Sequence, residues 1–203
     1  PRFFPELIKK YPALDISVKE MKTHEIQAAL LQGDIDAGIL AAIDGLEDYA
    51  QTSLLYERYV GYVSREDSLF ARESIRTSDV AASGQLWLLD EGHCFRDQMV
   101  RFCQMKASQT SQLAYGLGSM ETFMRMVESG MGITFIPELA SLQLSDSQKE
   151  LVRPFAIPVP TRELVLLTNR NFIRQTLLNV LIGEIRACIP KSMLKLNAGQ
   201  VLV

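Results

Sequence analysis

Apolar residues along this chain recur with two alternating periods, and the alternation predicts its elements. In "LDISVKE" (14–20) apolar and polar positions alternate singly, the pattern of a strand with one buried face. "HEIQAALLQG" (24–33) places Ile26, Ala29, Leu30 and Gly33 at helical spacing, and the glycine marks the stop. "IDAGILA" (35–41) predicts a buried strand. "TSLLYERYVGYVSRE" (52–66) is rich in β-branched and aromatic residues and predicts one long strand or two consecutive ones. "QLWLLD" (85–90) predicts a short buried strand. The period then turns helical: Phe95, Met99, Phe102 and Cys103 fall on one apolar stripe. Ser119 is placed to cap a helix over "METFMRMVES" that buries Met120, Phe123, Met124 and Val127. Gly130 and Gly132 end that helix, and "ITFIP" (133–137) predicts another strand. "RELVLLTN" (162–169) predicts one more, and residues 172–188 a long final helix.

Strands alternating with helices predict an α/β fold with largely parallel sheets. The Pro-rich "RPFAIPVPT" (153–161) reads as an extended crossing segment, which suits two subdomains with a chain that leaves one and returns to it. At 203 residues there is enough chain for a core in each. No apolar run approaches the roughly 18 residues of a membrane span, so no membrane partner is expected. The opening "PRFFPELIKKYP" lacks the apolar centre of a signal peptide, and its first residue is not Met, so a fragment is expected. A net charge of −3 argues against this piece gripping nucleic acid by itself, because such binding rests on neutralising phosphates. Three cysteines without framework spacing point to the reducing cytoplasm, where a disulfide is more often transient and functional than structural.

Chemistry concentrates in "DEGHCFRDQMVRFCQ" (90–104), which holds two of the three cysteines and one of the two histidines. Zinc would need three or four ligands at metal spacing, and the chain has no Cys-x-x-Cys and no His-x-x-x-His. Neither a metal nor a cofactor is therefore expected. Cys103, on the apolar stripe, reads as a packing residue, and Cys188, near the end of the last helix, as core or bystander. Cys94 reads differently. It sits at a strand-to-helix junction, where free N–H groups and the helix dipole favour a thiolate. His93 and Arg96 are candidate cationic neighbours, and Asp97 could orient either.

If residues 94–103 form one helix, nine residues rise about 13.5 Å and turn through about 900°, which puts the two cysteines on opposite faces. A disulfide needs Cα atoms within roughly 4.4–6.8 Å. If the two bond, the segment must unwind and Cys103 must leave its stripe, giving two states of one element. Peroxide would convert the Cys94 thiolate to sulfenic acid, and Cys103 would condense with it and release water. Glutathione or a glutaredoxin-type reductant could reset the pair.

"EGHCFRDQMVRFC" resembles the redox segment of the OxyR family, the peroxide-sensing activators among the LysR-type transcription regulators. "LLQGDIDAGIL" and "GSMETFMRMVESGMGITFIPE" resemble motifs shared by all LysR-type effector domains. The resemblance implies a periplasmic-binding-protein-like (type 2) effector domain of two Rossmann-like subdomains. The first comprises residues 1–56 and 163–203, and the second residues 57–162. It also implies an upstream helix-turn-helix DNA-binding domain, absent from this sequence together with a first strand and its pocket threonine. By the resemblance Cys94 is the peroxide-reacting cysteine and Cys103 the resolving one. Thr23, Gly92, His93 and Asp97 match pocket positions, with Arg96 a candidate thiolate stabiliser. Phe95 departs from a more usual aliphatic residue. The family pairs through this domain. The interface candidates are Phe4, Ile8, Val18, Phe123, Val127 and Ser129, with packing inside the subunit an equal alternative for Phe123 and Val127.

The implied partners are hydrogen peroxide as the signal and a second copy of the chain, as a dimer or a full-length tetramer. DNA through the missing domain, RNA polymerase, and a glutaredoxin- or thioredoxin-type reductant complete the set. Two other classes stay open. One is a small-molecule effector module that uses the helix start at Ser119. The other is a thiol peroxidase or Cys-dependent hydrolase, which sequence adjacency of Cys and His permits but does not establish.

Overall fold

A computed structural model of the chain describes residues 3–82, 85–88, 94–103 and 119–203, without the side chains of residues 81, 82, 94, 95 and 97. Its elements run α1 (Phe4–Lys10), α2 (Thr23–Gln32), β1 (Gly38–Ala41), β2 (Tyr49–Val63), α3 (Thr77–Ala82) and β3 (Leu86–Trp87). Then come α4 (Cys94–Phe102), α5 (Met120–Glu128), β4 (Ile133–Pro137), α6 (Glu138–Ser141), α7 (Asp146–Lys149) and β5 (Val152–Pro154). The chain ends with β6 (Val159–Asn169), α8 (Gln175–Ala187) and β7 (Gln200–Leu202).

These elements form two compact units. The first holds Pro1–Tyr56 and Glu163–Asn197, and the second Glu57–Arg162 and Ala198–Val203. The chain therefore enters the second unit within β2 and leaves it within β6. The tail does not stay with the first unit as expected, because β7 pairs in parallel with the start of β6, Val159 to Gln200 and Thr161 to Leu202.

In the first unit β1 lies antiparallel to β6, with Gly38 opposite Leu167 and Ala41 opposite Leu164. Leu30 of α2 packs with Leu40, Leu46, Tyr49, Val165 and Leu167 into its core. Helix α2 stops where the sequence predicts, at Gly33, whose φ of 78° is a left-handed conformation that glycine adopts without strain. Helix α8 buries Leu178, Ile182 and Ile185, one stripe at i, i+4 and i+7.

The second unit is a sheet covered on both faces, and strand alternation decides what faces what. Along β2, Tyr59 and Val63 point into one core cluster, while Val60 and Tyr62 point into another. Likewise Leu86, Ile133 and Phe135 join the first cluster, and Trp87 and Ile136 the second. Helix α4 supplies Met99 to the first, followed by Cys103, and α5 supplies Phe123 and Val127 to the second. Trp87 stacks on Phe123 at 6.3 Å between ring centroids, and its indole N–H donates to the Met131 carbonyl at 2.9 Å. Burial on both faces explains why these strands read as nearly continuous apolar runs.

Three further expectations need correction. Among the described residues the pairings are not largely parallel: β2 runs antiparallel to both β4 and β5, β1 runs antiparallel to β6, and β3 with β4 and β6 with β7 pair in parallel. Helix–strand alternation reports connections, whereas β2 is the long incoming strand and runs against those that follow it. Residues 14–20 join no ladder among the described residues, and Val18 is 61% exposed. Alternation reports a one-sided face but supplies no strand partner. The last helix starts at Gln175 instead of residue 172.

Candidate functional site: the cysteine helix

Helix α4 forms where the apolar stripe predicts it and begins at Cys94. Cys103 lies one residue beyond its end, with its N–H donating to the Met99 carbonyl at 2.9 Å. The segment is therefore helical across the whole span that separates the two cysteines. By helix geometry their Cα atoms stand about 13.5 Å apart, roughly twice the reach of a disulfide.

Cys103 is a free thiol, 5% exposed. It packs in the cluster that contains Tyr59, Val63, Leu86, Met99, Ile133 and Phe135. Burial pushes its pKa up to about 12, because the dry surroundings disfavour the thiolate. Phe102 packs edge-on against Phe155 at 6.0 Å. Arg96 is half-buried on the same helix.

One polar group on α4 is also buried. Gln98 is 5% exposed, and its Oε1 accepts the Tyr59 hydroxyl at 2.7 Å. The Arg162 guanidinium lies over the Tyr59 ring, 5.5 Å from its centroid. Arg162 in turn reaches Glu57 at 2.7 Å, and Glu57 accepts the Leu139 N–H at 3.0 Å. Glu57 and Arg162 are the residues at which the chain enters and leaves the second unit. The sequence reading missed all four of these residues, although "YERYVGY" does carry a charged pair inside an apolar strand.

The other expected site residues distribute as follows. Gly92 and His93 lie outside the described residues, and of Cys94 and Asp97 only the helical backbone is described. Thr23 is the first residue of α2, in the first unit. Ser119 caps α5 as expected, with its hydroxyl accepting the Thr122 N–H at 3.2 Å. Among the interface candidates, Phe4 is half-buried, Ile8 and Val18 are exposed, and Ser129 is an exposed cap residue whose hydroxyl donates to the Arg125 and Met126 carbonyls. Phe123 and Val127 are 2% and 1% exposed, so their own core consumes them and they leave the interface set. A separate open pocket lies on the α5 side and is lined by Arg65, Glu66, Arg125, Glu128, Ser145 and Gln148 among others.

A family model, the LysR substrate binding domain, matches residues 1–188. The chain belongs to the LysR substrate-binding domain family. Within it, the chain is 52% identical to OxyR from Porphyromonas gingivalis, with a TM-score of 0.90, covering 100% of this chain and 91% of that structure. The reduced form of the OxyR regulatory domain from Pseudomonas aeruginosa is 29% identical at a TM-score of 0.80, over 93% of this chain and 90% of the other. A curated relative from Pectobacterium carotovorum, the "Hydrogen peroxide-inducible genes activator", is 30% identical over 82% of this chain and 54% of its own length. The chain thus spans about half the length of the curated relatives it matches. The LysR-type family is one of transcription regulators, and the mixed α/β architecture is the fold of its OxyR regulatory domains.

Proposed function

We propose that this chain is the hydrogen-peroxide-sensing regulatory domain of an OxyR-like, LysR-type transcription activator, switched by oxidation of Cys94 and its disulfide with Cys103. The observation that carries the reading is α4 itself, with Cys94 at its start and Cys103 buried just past its end. The pair cannot bond while the helix stands, so bonding is a conformational change by geometry alone. The Cys94 thiolate attacks one peroxide oxygen, the O–O bond breaks, and the other oxygen leaves as hydroxide that takes up a proton to become water, so the sulfur becomes a sulfenic acid. Attack by the Cys103 sulfur then forms the S–S bond and expels a second water. Two glutathione thiols, or a glutaredoxin- or thioredoxin-type dithiol, reduce the bond and become the disulfide themselves.

In this reading Thr23, Gly92, His93 and Asp97 keep the peroxide-pocket roles that the family resemblance implies for them, and Arg96 favours the thiolate. One peroxide is consumed per switching event, so the chain is a sensor and not a turnover enzyme. The whole protein reads DNA through a helix-turn-helix domain, works as a homodimer or tetramer that pairs in part through Phe4, Ile8, Val18 and Ser129, and engages RNA polymerase in the cytoplasm. No helix among the described residues is long and apolar enough to cross a membrane.

Mass mapping of the alkylated domain before and after one equivalent of hydrogen peroxide tests this. A 94–103 linked pair should appear only after peroxide, together with a loss of helical dichroism, and Cys94→Ser should abolish both. Oxidation of Cys94 without linkage to Cys103 would replace the disulfide switch by sulfenic acid or mixed-disulfide signalling.

A further inference from the structure

We infer that Gln98 and Tyr59 are positioning residues whose hydrogen bond latches α4 in its wound state and sets how readily the Cys94–Cys103 bond forms. The inference rests on the disulfide reading above and adds residues that the reading does not use. The α4 residues Met99 and Phe102 meet this core as apolar groups, held by packing that can slide or repack. The Gln98 amide is different: it sits in the dry interior on one turn of the helix, and Tyr59 gives its Oε1 a donor at 2.7 Å. A hydrogen bond between two buried groups has a single good geometry, and it is lost when the turn that carries Gln98 unwinds.

Tyr59 is itself held fast. It is fully buried in β2, which pairs on both sides, and the Arg162 guanidinium covers its ring. Arg162 is anchored by the buried Glu57 carboxylate, which also holds the start of α6 through Leu139. The hydroxyl is therefore presented from a fixed platform, and only the Gln98 side of the bond can move. The wound helix gains this bond and the unwound segment does not, so the latch biases the pair towards two thiols.

The test reads the thiol–disulfide equilibrium of the purified chain in glutathione buffers, where the protein disulfide plus two glutathione thiols gives two protein thiols plus oxidised glutathione. Tyr59→Phe and Gln98→Met should each shift that equilibrium towards the disulfide by roughly three- to tenfold, the net worth of one ordinary hydrogen bond. The double variant should shift clearly less than the two single shifts combined, because each single change already removes the shared bond. Amide exchange over residues 94–103 of the reduced chain should rise in each single variant, rise little further in the double, and stay level in α5 throughout.

Additive shifts in the double variant, or single variants within twofold of wild type with unchanged exchange, would overturn the latch. If wild type never forms the 94–103 bond, the disulfide reading fails on its own. Exchange over α4 in Tyr59→Phe then still decides the latch, with an increase upholding it and no change refuting it.

Discussion

The surroundings of Cys103 decide which part it can take in the proposed switch. A thiol whose pKa burial has pushed up to about 12 is protonated at neutral pH and a poor nucleophile, so peroxide meets little thiolate at Cys103. In the proposed switch, reaction therefore starts at the helix-start cysteine, and Cys103 becomes competent only after it leaves the core. The same shift makes a stability prediction. The unfolded thiol titrates near about pH 8.5 and the folded one higher, so folding favours the protonated form. The Cys103 contribution is therefore complete below about pH 8.5 and drains away as pH rises towards about 12. Urea unfolding of the reduced domain at a series of alkaline pH values should show this loss, and Cys103→Ala should flatten it. Parallel curves for the two proteins would mean that another group titrates.

At the scale of elements, α5 shows how one residue ties a helix to its neighbours. Glu128, in its last turn, accepts the Tyr62 hydroxyl of β2 at 2.8 Å, Gln148 of α7 at 2.8 Å and Arg125 at 3.0 Å. Burial works against its charge, but these donors and the Arg125 cation outweigh it and hold the carboxyl below its usual pKa. A depressed carboxyl pKa stabilises the fold above the unfolded value of about 4.3, and that contribution is lost as pH falls through the folded value. Glu128→Gln should therefore lower stability at pH 7 and shrink the fall in stability between pH 7 and pH 3, measured by denaturant midpoints. An unchanged acid limb would show that the carboxylate is not the linked group.

The same element scale marks what the sequence could tell. Stripes and caps are local, so α2, α4 and α5 were legible, down to Ser119 and Gly33. The Cys94–Cys103 geometry followed from α4 alone. Strand partners are not local, so the antiparallel sense of β2 and the unpaired 14–20 segment were beyond alternation patterns. Strand β7 is three residues long, too short to show a period. The Tyr59–Gln98 bond joins residues 39 apart in sequence, and nothing near either residue announces the other.

For the whole molecule, burial separates residues that hold a unit together from residues free to hold two chains together. Ile8 and Val18 are 58% and 61% exposed in the first unit, whereas Phe123 is 2% exposed in the second. A sequence-level list groups the three, but physics assigns them opposite tests. Phe123→Ala removes a ring stacked on Trp87 and should cost about 3–5 kcal/mol of unfolding free energy. Ile8→Asp touches little within the chain and should stay within about 0.5 kcal/mol of wild type in unfolding. If α1 and the 14–20 segment contribute to self-association, Ile8→Asp and Val18→Asp should raise the dimer dissociation constant by tenfold or more in sedimentation experiments, because a carboxylate would be desolvated against the partner. Wild-type association in both variants would move the contact away from this face. Destabilisation of Ile8→Asp comparable to Phe123→Ala would instead mean that Ile8 packs within its own unit.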